Sequence, residues 1–330
     1  MNAKLAFRFC YPAAIAGAAW LVTPAVAAPA TGDYPTKPIR VLVGFPPGGS
    51  TDVLTRQIGI RLSENLGQPI IVDNRAAAGG SLASELVAKG NPDGYTLMMA
   101  TVASHGINPS LYRKIPYNVV KDFAPITLVA TYPLVLATHP SLPAKSIKDL
   151  IAVASAKPGQ LRFASSGNGS PGHLSGEILK SLAKVDLVHV PYKGGAPANI
   201  AVLSGEAHLT FATLPGMIPH VRAGRVSALG VTTAKRSAAI PDVPAIAESV
   251  PGFDVSSWAG LVAPAGTSRA IVARLRDETV KVITSRELRE RLAAEGAEPV
   301  GNSPEQFAAF IKAELEKWAK AVKQAGAQID

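Results

Sequence analysis

The stretch Ile39-Arg40-Val41-Leu42-Val43-Gly44-Phe45-Pro46-Pro47-Gly48-Gly49-Ser50-Thr51-Asp52 runs an apolar, β-branched segment into a proline and glycine turn, and from there into an amphipathic segment that continues to Leu66. A short buried strand, a tight turn and a helix in that order open a β-α-β unit. Reading outward, residues 69–73 and 96–101 repeat the strand pattern, with a helical pattern over 82–89 between them. The β-α-β-α-β order argues for a parallel sheet with helices on both faces. A second series follows. Strands are expected at 161–165, 187–191, 209–213 and 226–231, and helices at 174–182, 197–203 and 218–223. Two α/β lobes are the economical reading.

Between the two series runs an extended apolar segment, 124–138, and a similar one, 255–264, follows the second. Each is long enough to leave one lobe and enter the other, which makes two crossover strands and a hinge. The expected division is residues 28–129 plus 252–330 in lobe one and 130–251 in lobe two. Near the C-terminus, Ser303-Pro304-Glu305-Gln306 reads as an N-cap, a proline in the first turn and a capping-box partner. Phe307, Phe310, Ile311, Leu315, Trp318 and Val322 then form one apolar face of a helix, which is core packing.

The first residues set the compartment. Lys4 and Arg8 precede an apolar stretch over 10–22, and Thr23-Pro24-Ala25-Val26-Ala27 supplies small residues for cleavage. This is a secretory signal peptide, residues 1–27, cleaved near Ala27. An uncleaved anchor is the competing reading, but the apolar core is short and holds Pro12, and no later run nears the roughly 20 apolar residues that span a bilayer. Of 330 residues, 303 would remain, enough for two lobes with proper cores. The single cysteine, Cys10, falls inside the signal, so the exported chain has neither a disulfide nor a thiolate metal site. Losing Lys4 and Arg8 lowers the formal charge from +9 to +7. That charge is spread singly rather than clustered with aromatics, so a solvated basic surface is expected and nucleic acid is not.

Three strand-to-helix junctions are rich in glycine: 45–52, then Ser165-Ser166-Gly167-Asn168-Gly169-Ser170-Pro171-Gly172-His173, then Pro191-Tyr192-Lys193-Gly194-Gly195-Ala196. In open α/β sheets such junctions lie at the carboxyl ends of strands, where ligands bind. Free N–H groups at the following helix N-terminus, with the helix dipole, favour an anion. One loop comes from the first lobe and two from the second, so an anion held between them would favour closure. Each turn alone is better explained as a tight turn forced by strand-helix geometry, and it is the convergence of three on one cleft that points to a ligand. Asp52, in the first helical turn, either braces the loop or meets the ligand. Ser104 and His105 follow the third strand and stand as candidates for the cleft's edge.

Enzymatic readings find less support. Gly167-x-Gly169-x-x-Gly172 matches a dinucleotide-binding pattern, but the next strand ends in Tyr192-Lys193 where a ribose-binding acid is needed. Around Ser170 a nucleophile elbow fails because Asn168 stands at its first glycine position. Ser170 and His173, three apart at a helix start, are better placed to cap it and to meet a ligand. The histidines at 105, 139, 173, 189, 208 and 220 show no metal-binding spacing. Neither a cofactor nor a metal is expected.

The same residues resemble the tripartite tricarboxylate transporter substrate-binding proteins, also called Bug receptors. The likeness runs through Tyr34-Pro35, Lys37-Pro38-Ile39-Arg40, Pro47-Gly48-Gly49 with Asp52, Val72-Asp73-Asn74-Arg75, Gly79-Gly80 and Pro92-Asp93-Gly94-Tyr95-Thr96-Leu97. It continues through Gly167-x-Gly169-Ser170-x-x-His173-Leu174, Val190-Pro191-Tyr192-Lys193-Gly194 and Pro251-Gly252-Phe253. The resemblance implies a periplasmic Venus-flytrap fold. It implies a ligand carboxylate gripped by backbone and hydroxyl groups, partly through water, instead of by an arginine. It assigns ligand contact to Pro47, Gly48, Gly49, Thr51 and Asp52, to Ser166, Gly169, Ser170 and His173, and to Tyr192 and Lys193. It also implies a monomer that hands a small organic carboxylate to a tripartite tricarboxylate transporter permease, with docking on a sensor kinase as the alternative. One departure is His208, where the family commonly has aspartate. It either shapes the far wall of the pocket or only braces a strand start.

Overall fold

The computed structural model describes residues 34–324 and 326–327. The expected signal peptide and its cleavage site lie outside them. Among the described residues ten strands and ten α-helices follow one another, largely in the expected β-α order. β1 (Ile39–Val43), α1 (Ser50–Leu66), β2 (Ile70–Asn74), α2 (Ser81–Ala88), β3 (Thr96–Thr101) and α3 (Asn108–Leu111) lead to the long β4 (Phe123–Thr138). Then come α4 (Ile147–Ala156), β5 (Arg162–Ser165), α5 (Pro171–Ala183), β6 (Val188–Pro191), α6 (Gly195–Leu203), β7 (Leu209–Thr213), α7 (Leu214–Arg222) and β8 (Ser227–Val231). The chain ends with β9 (Ser256–Pro264), α8 (Arg269–Thr284), α9 (Arg286–Ala294), β10 (Glu298–Pro299) and α10 (Pro304–Gln324).

The strands lie in the order β2-β1-β3-β9-β4-β7-β5-β6, with β8 and β10 also paired to β4. β1 is parallel to β2 and β3, and β5 is parallel to β6 and β7, as the β-α-β order requires. The central strands are antiparallel: β9 to β3 and β4, and β4 to β7 and β8. Each lobe therefore carries a parallel edge, the middle is antiparallel, and the sheet as a whole is mixed. Ile39, Leu42 and Val43 are fully buried, as expected for a strand covered on both faces.

β4 is the strand that passes between lobes. Through Pro133 it pairs with β9, and from Leu134 onward with β7 and β8. β9 behaves differently from its sequence expectation, because all its pairing is with β3 and the first part of β4. The second crossing falls just before it, where Val255 N–H donates to the Thr232 carbonyl at 2.8 Å and Ser256 then pairs with Pro133. Both crossings thus lie at one level, side by side.

α10 starts as its sequence foretold. Ser303 Oγ accepts from Gln306 N–H at 3.2 Å, and Gln306 Oε1 accepts from Ser303 N–H at 2.9 Å. Phe307, Ile311, Trp318 and Val322 are buried along one face, with Phe310 and Leu315 packed against the same core. Glu314 sits buried inside this stripe, its Oε2 accepting from both Trp258 Nε1 (2.9 Å) and Trp318 Nε1 (2.8 Å). A carboxylate survives there because two indole donors replace its hydration.

Candidate functional site

The three glycine-rich junctions converge on one cavity of about 80 Å³. From the first lobe come Phe45, Pro46, Pro47, Gly49, Ser50 and Thr51, with Thr101, Val102 and Ala103 from the end of β3. From the second lobe come Ser166 and Pro171, then Gly194, Gly195, Ala196 and Pro197, and Thr213 at the end of β7. Tyr132 and Ser257, paired across β4 and β9, complete the lining between the lobes. An adjoining chamber of about 320 Å³ extends into the second lobe and includes Gly48.

The cavity wall holds no charged side chain. Its polarity comes from the hydroxyls of Ser50, Thr51, Thr101, Tyr132, Ser166, Thr213 and Ser257, and from backbone. α1, α6 and α7 all begin at this wall, with Gly49, Gly194 and Thr213 as N-caps, and none of the three has a side-chain cap. Each leaves first-turn N–H groups to find another partner. Helix dipoles and unsatisfied N–H groups meeting at one apolar-walled space make an anion site that needs no lysine or arginine. The Tyr132 phenol is raised by burial, against which the hydroxyls of Ser257 and Thr51 act. It therefore stays protonated and can donate.

Of the residues singled out in the sequence, Pro47, Gly49, Thr51 and Ser166 line the cavity, and Gly48 lines the adjoining chamber. The other residues lie off the wall. The Asp52 carboxylate is buried behind the loop, where Oδ2 accepts from Gly48 N–H (2.9 Å) and Oδ1 from Arg56 Nε and Asn74 Nδ2 (both 3.0 Å). Burial opposes its charge, yet these donors hold it below the usual carboxylate range. It braces the first loop, since a second negative charge on the wall would repel an anion.

Ser104 is wholly buried and ties the turn after β3, its Oγ accepting from Thr101 N–H at 3.1 Å and meeting His105 Nδ1 at 3.0 Å. Ser170 caps α5, with Oγ accepting from His173 N–H at 3.2 Å, and His173 Nδ1 accepts from Gly169 N–H at 3.2 Å. Gly169, Ser170 and His173 therefore tie the end of this loop to the start of α5, while the Ser166 carbonyl accepts from Gly194 N–H at 3.2 Å. His173 stacks on His189 at 4.0 Å between ring centres, and His189 Nε2 meets Ser165 Oγ at 2.6 Å. Tyr192 turns its hydroxyl to Glu206 at 2.6 Å, and Lys193 is exposed. His208 Nδ1 accepts from the Arg162 N–H at 3.0 Å, at the start of β5, and touches neither cavity.

Tyr132, Ser257, Thr101 and Thr213 escaped sequence reading. A signal existed, because polar residues interrupt otherwise apolar strands at these places and a strand passing between lobes must underlie the cleft.

Residues 54–327 match the family described as tripartite tricarboxylate transporter family receptor. The chain belongs to that family. It is 38% identical to protein BugT of Bordetella pertussis, over 94% of this chain and 96% of the other. A structure titled as Rpa4515 of R. palustris with adipate superposes with a TM-score of 0.88 at 39% identity, covering 90% of this chain and all of that one. MatC of Rhodopseudomonas palustris, described with bound malate, gives 0.83 at 33% identity, covering 88% and 100%. The periplasmic binding protein BugD gives 0.85 at 32% identity, covering 89% and 99%. Receptors of this family are solute-binding proteins, and the two-lobed fold here is theirs.

Proposed function

We propose that this receptor captures a small aliphatic carboxylate in the periplasm and presents it, with the lobes closed, to a tripartite tricarboxylate permease. The observation that carries the ligand class is the meeting of three uncapped helix N-termini and a ring of hydroxyls on a wall without cations. Proline, valine, alanine and phenylalanine between them suit an alkyl chain. Adipate and malate in similar proteins support the same chemistry. Binding makes and breaks no covalent bond. The ligand instead bridges both lobes and so favours the closed state.

The test is thermal shift and calorimetry of the purified protein with dicarboxylates, their diamides and inorganic phosphate. A ligand that binds only the folded state raises the melting temperature. A carboxylate response abolished by amidation is expected. Stabilisation by the diamides equal to that by the acids would overturn the reading.

A further inference from the structure

α7 starts at the cleft wall, where Thr213, its N-cap, lines the cavity. Both its ends also touch the other lobe, at the C-terminus of α9. Leu214, the first residue of α7, is fully buried and meets Gly296, which lies just past α9. Gly296 has φ +75°, and a β-carbon built there would overlap Leu214 Cδ2 and lie 3.3 Å from the Ala239 β-carbon. A left-handed glycine commonly ends a helix. The turn alone does not account for this one, since Leu214 fills the space that a side chain would need. Arg222, the last residue of α7, donates from Nη2 to the Ala294 carbonyl at 3.0 Å. That carbonyl is among those a helix end leaves without an intrahelical donor, and a cation there meets the negative end of the α9 dipole.

We propose that Leu214 in the Gly296 hollow, with Arg222 on the C-terminus of α9, is a latch that sets how often the lobes close. The inference rests on the receptor reading above, in which closure captures the ligand. Leu214 directly follows Thr213, so its side chain enters the hollow as Thr213 reaches Ser50. Neither Leu214 nor Arg222 lines the cavity or the adjoining chamber. Both therefore contribute to affinity through the closed population and not by touching the ligand. Leu214 also packs with Met217 and Ile218 in the core of its own lobe, so the informative substitutions are at its partners.

Disulfide trapping reads closure without any ligand. Ser50→Cys with Thr213→Cys, in a Cys10→Ser background, places two thiols that can join while the lobes are shut. The rate of that bond under oxygen and copper phenanthroline follows the closed population. Gly296→Ala should slow it about fivefold or more, because the added methyl displaces Leu214. Gly224→Ala is the control. It too lies just past a helix end, at φ +65°, but with nothing within 4 Å of a built β-carbon. It carries the backbone strain alone and should change the rate less than about twofold. Arg222→Met should slow trapping about two- to fivefold while the melting temperature stays close to the parent's. A Gly296→Ala rate no lower than that of Gly224→Ala would overturn the latch. So would an unchanged rate in Arg222→Met, should Gly296→Ala not fold. No disulfide in the parent pair would overturn closure itself and the latch with it, whereas a wrong ligand class leaves every rate as it is.

Discussion

Ser50 and Thr213 touch across the cleft, their hydroxyl oxygens 2.6 Å apart, joining the first residue of α1 in one lobe to the end of β7 in the other. The contact sits at two of the uncapped helix N-termini, so on the proposed function lobe closure and anion capture share the same atoms. Gly216 makes room for it, since a β-carbon there would lie 3.0 Å from Ser50 Oγ and 3.2 Å from Thr213 Oγ1. Ser50→Ala removes one hydrogen bond made only on closure, a net loss of about 0.5–1.5 kcal/mol. The dissociation constant for the bound carboxylate, measured by calorimetry, should rise about two- to tenfold. The ligand-free melting temperature should stay close to that of the wild type. A large drop in that temperature would mean that the hydroxyl supports the lobe itself.

Gly169 meets Leu111 of α3 from the other lobe. Its φ is +72°, and a β-carbon there would overlap the Leu111 side chain. Gly169→Ala should therefore strain the loop and hold the lobes apart, weakening ligand binding about tenfold or more. Adding Leu111→Ala should restore part of that affinity while costing core stability, because Leu111 is fully buried. Affinities of the four proteins in the cycle check the coupling.

Asp52 holds the first loop from behind through Gly48, Arg56 and Asn74. Asp52→Ala leaves those donors without an acceptor and should lower stability by about 1–3 kcal/mol in urea unfolding. Carboxylate binding should weaken as well, because the Gly48-Gly49 turn loses its brace. The wild-type carboxyl titrates below its ordinary value, so its contribution is complete above that value and disappears as pH falls through the lower, folded one. Asp52→Asn, which keeps one acceptor, should cost less than the alanine.

Three imidazoles make the fold sensitive to acid. His105 is pushed down to about 3 by burial. His173 falls to about 4 through burial and Lys180, and His189 to about 3 through burial, His173 and Lys180. Each is neutral in the folded protein, whereas the unfolded chain takes up protons below about 6.5. The unfolded state thus binds more protons between about 6 and 4, and stability falls with pH in that window by about 1.4 kcal/mol per unit for the fully buried His105, with smaller contributions from the solvent-screened pair His173 and His189. Urea midpoints should be flat from pH 8 to 7 and drop steeply below 6. Replacing His105 by Leu should make the slope shallower by roughly one proton's worth.

The chain's own order of apolar and amphipathic segments determined the two α/β lobes. Strands at 96–101 and 209–213 and the capping box at Ser303 and Gln306 needed only local rules, because hydrophobic period and cap chemistry act within a few residues. The three glycine-rich junctions were legible for the same reason, since a tight strand-to-helix turn is a local demand. Which side chains face the ligand was not local. Ser166 lines the wall with its carbonyl held by Gly194 of the third loop, and Asp52 turns inward because Arg56 and Asn74 happen to lie there. The antiparallel β9, the Tyr132–Ser257 pair beneath the cleft and the Ser50–Thr213 contact join residues more than a hundred positions apart. Only the packing of one lobe on the other brings such groups together, and no periodicity along the chain records it.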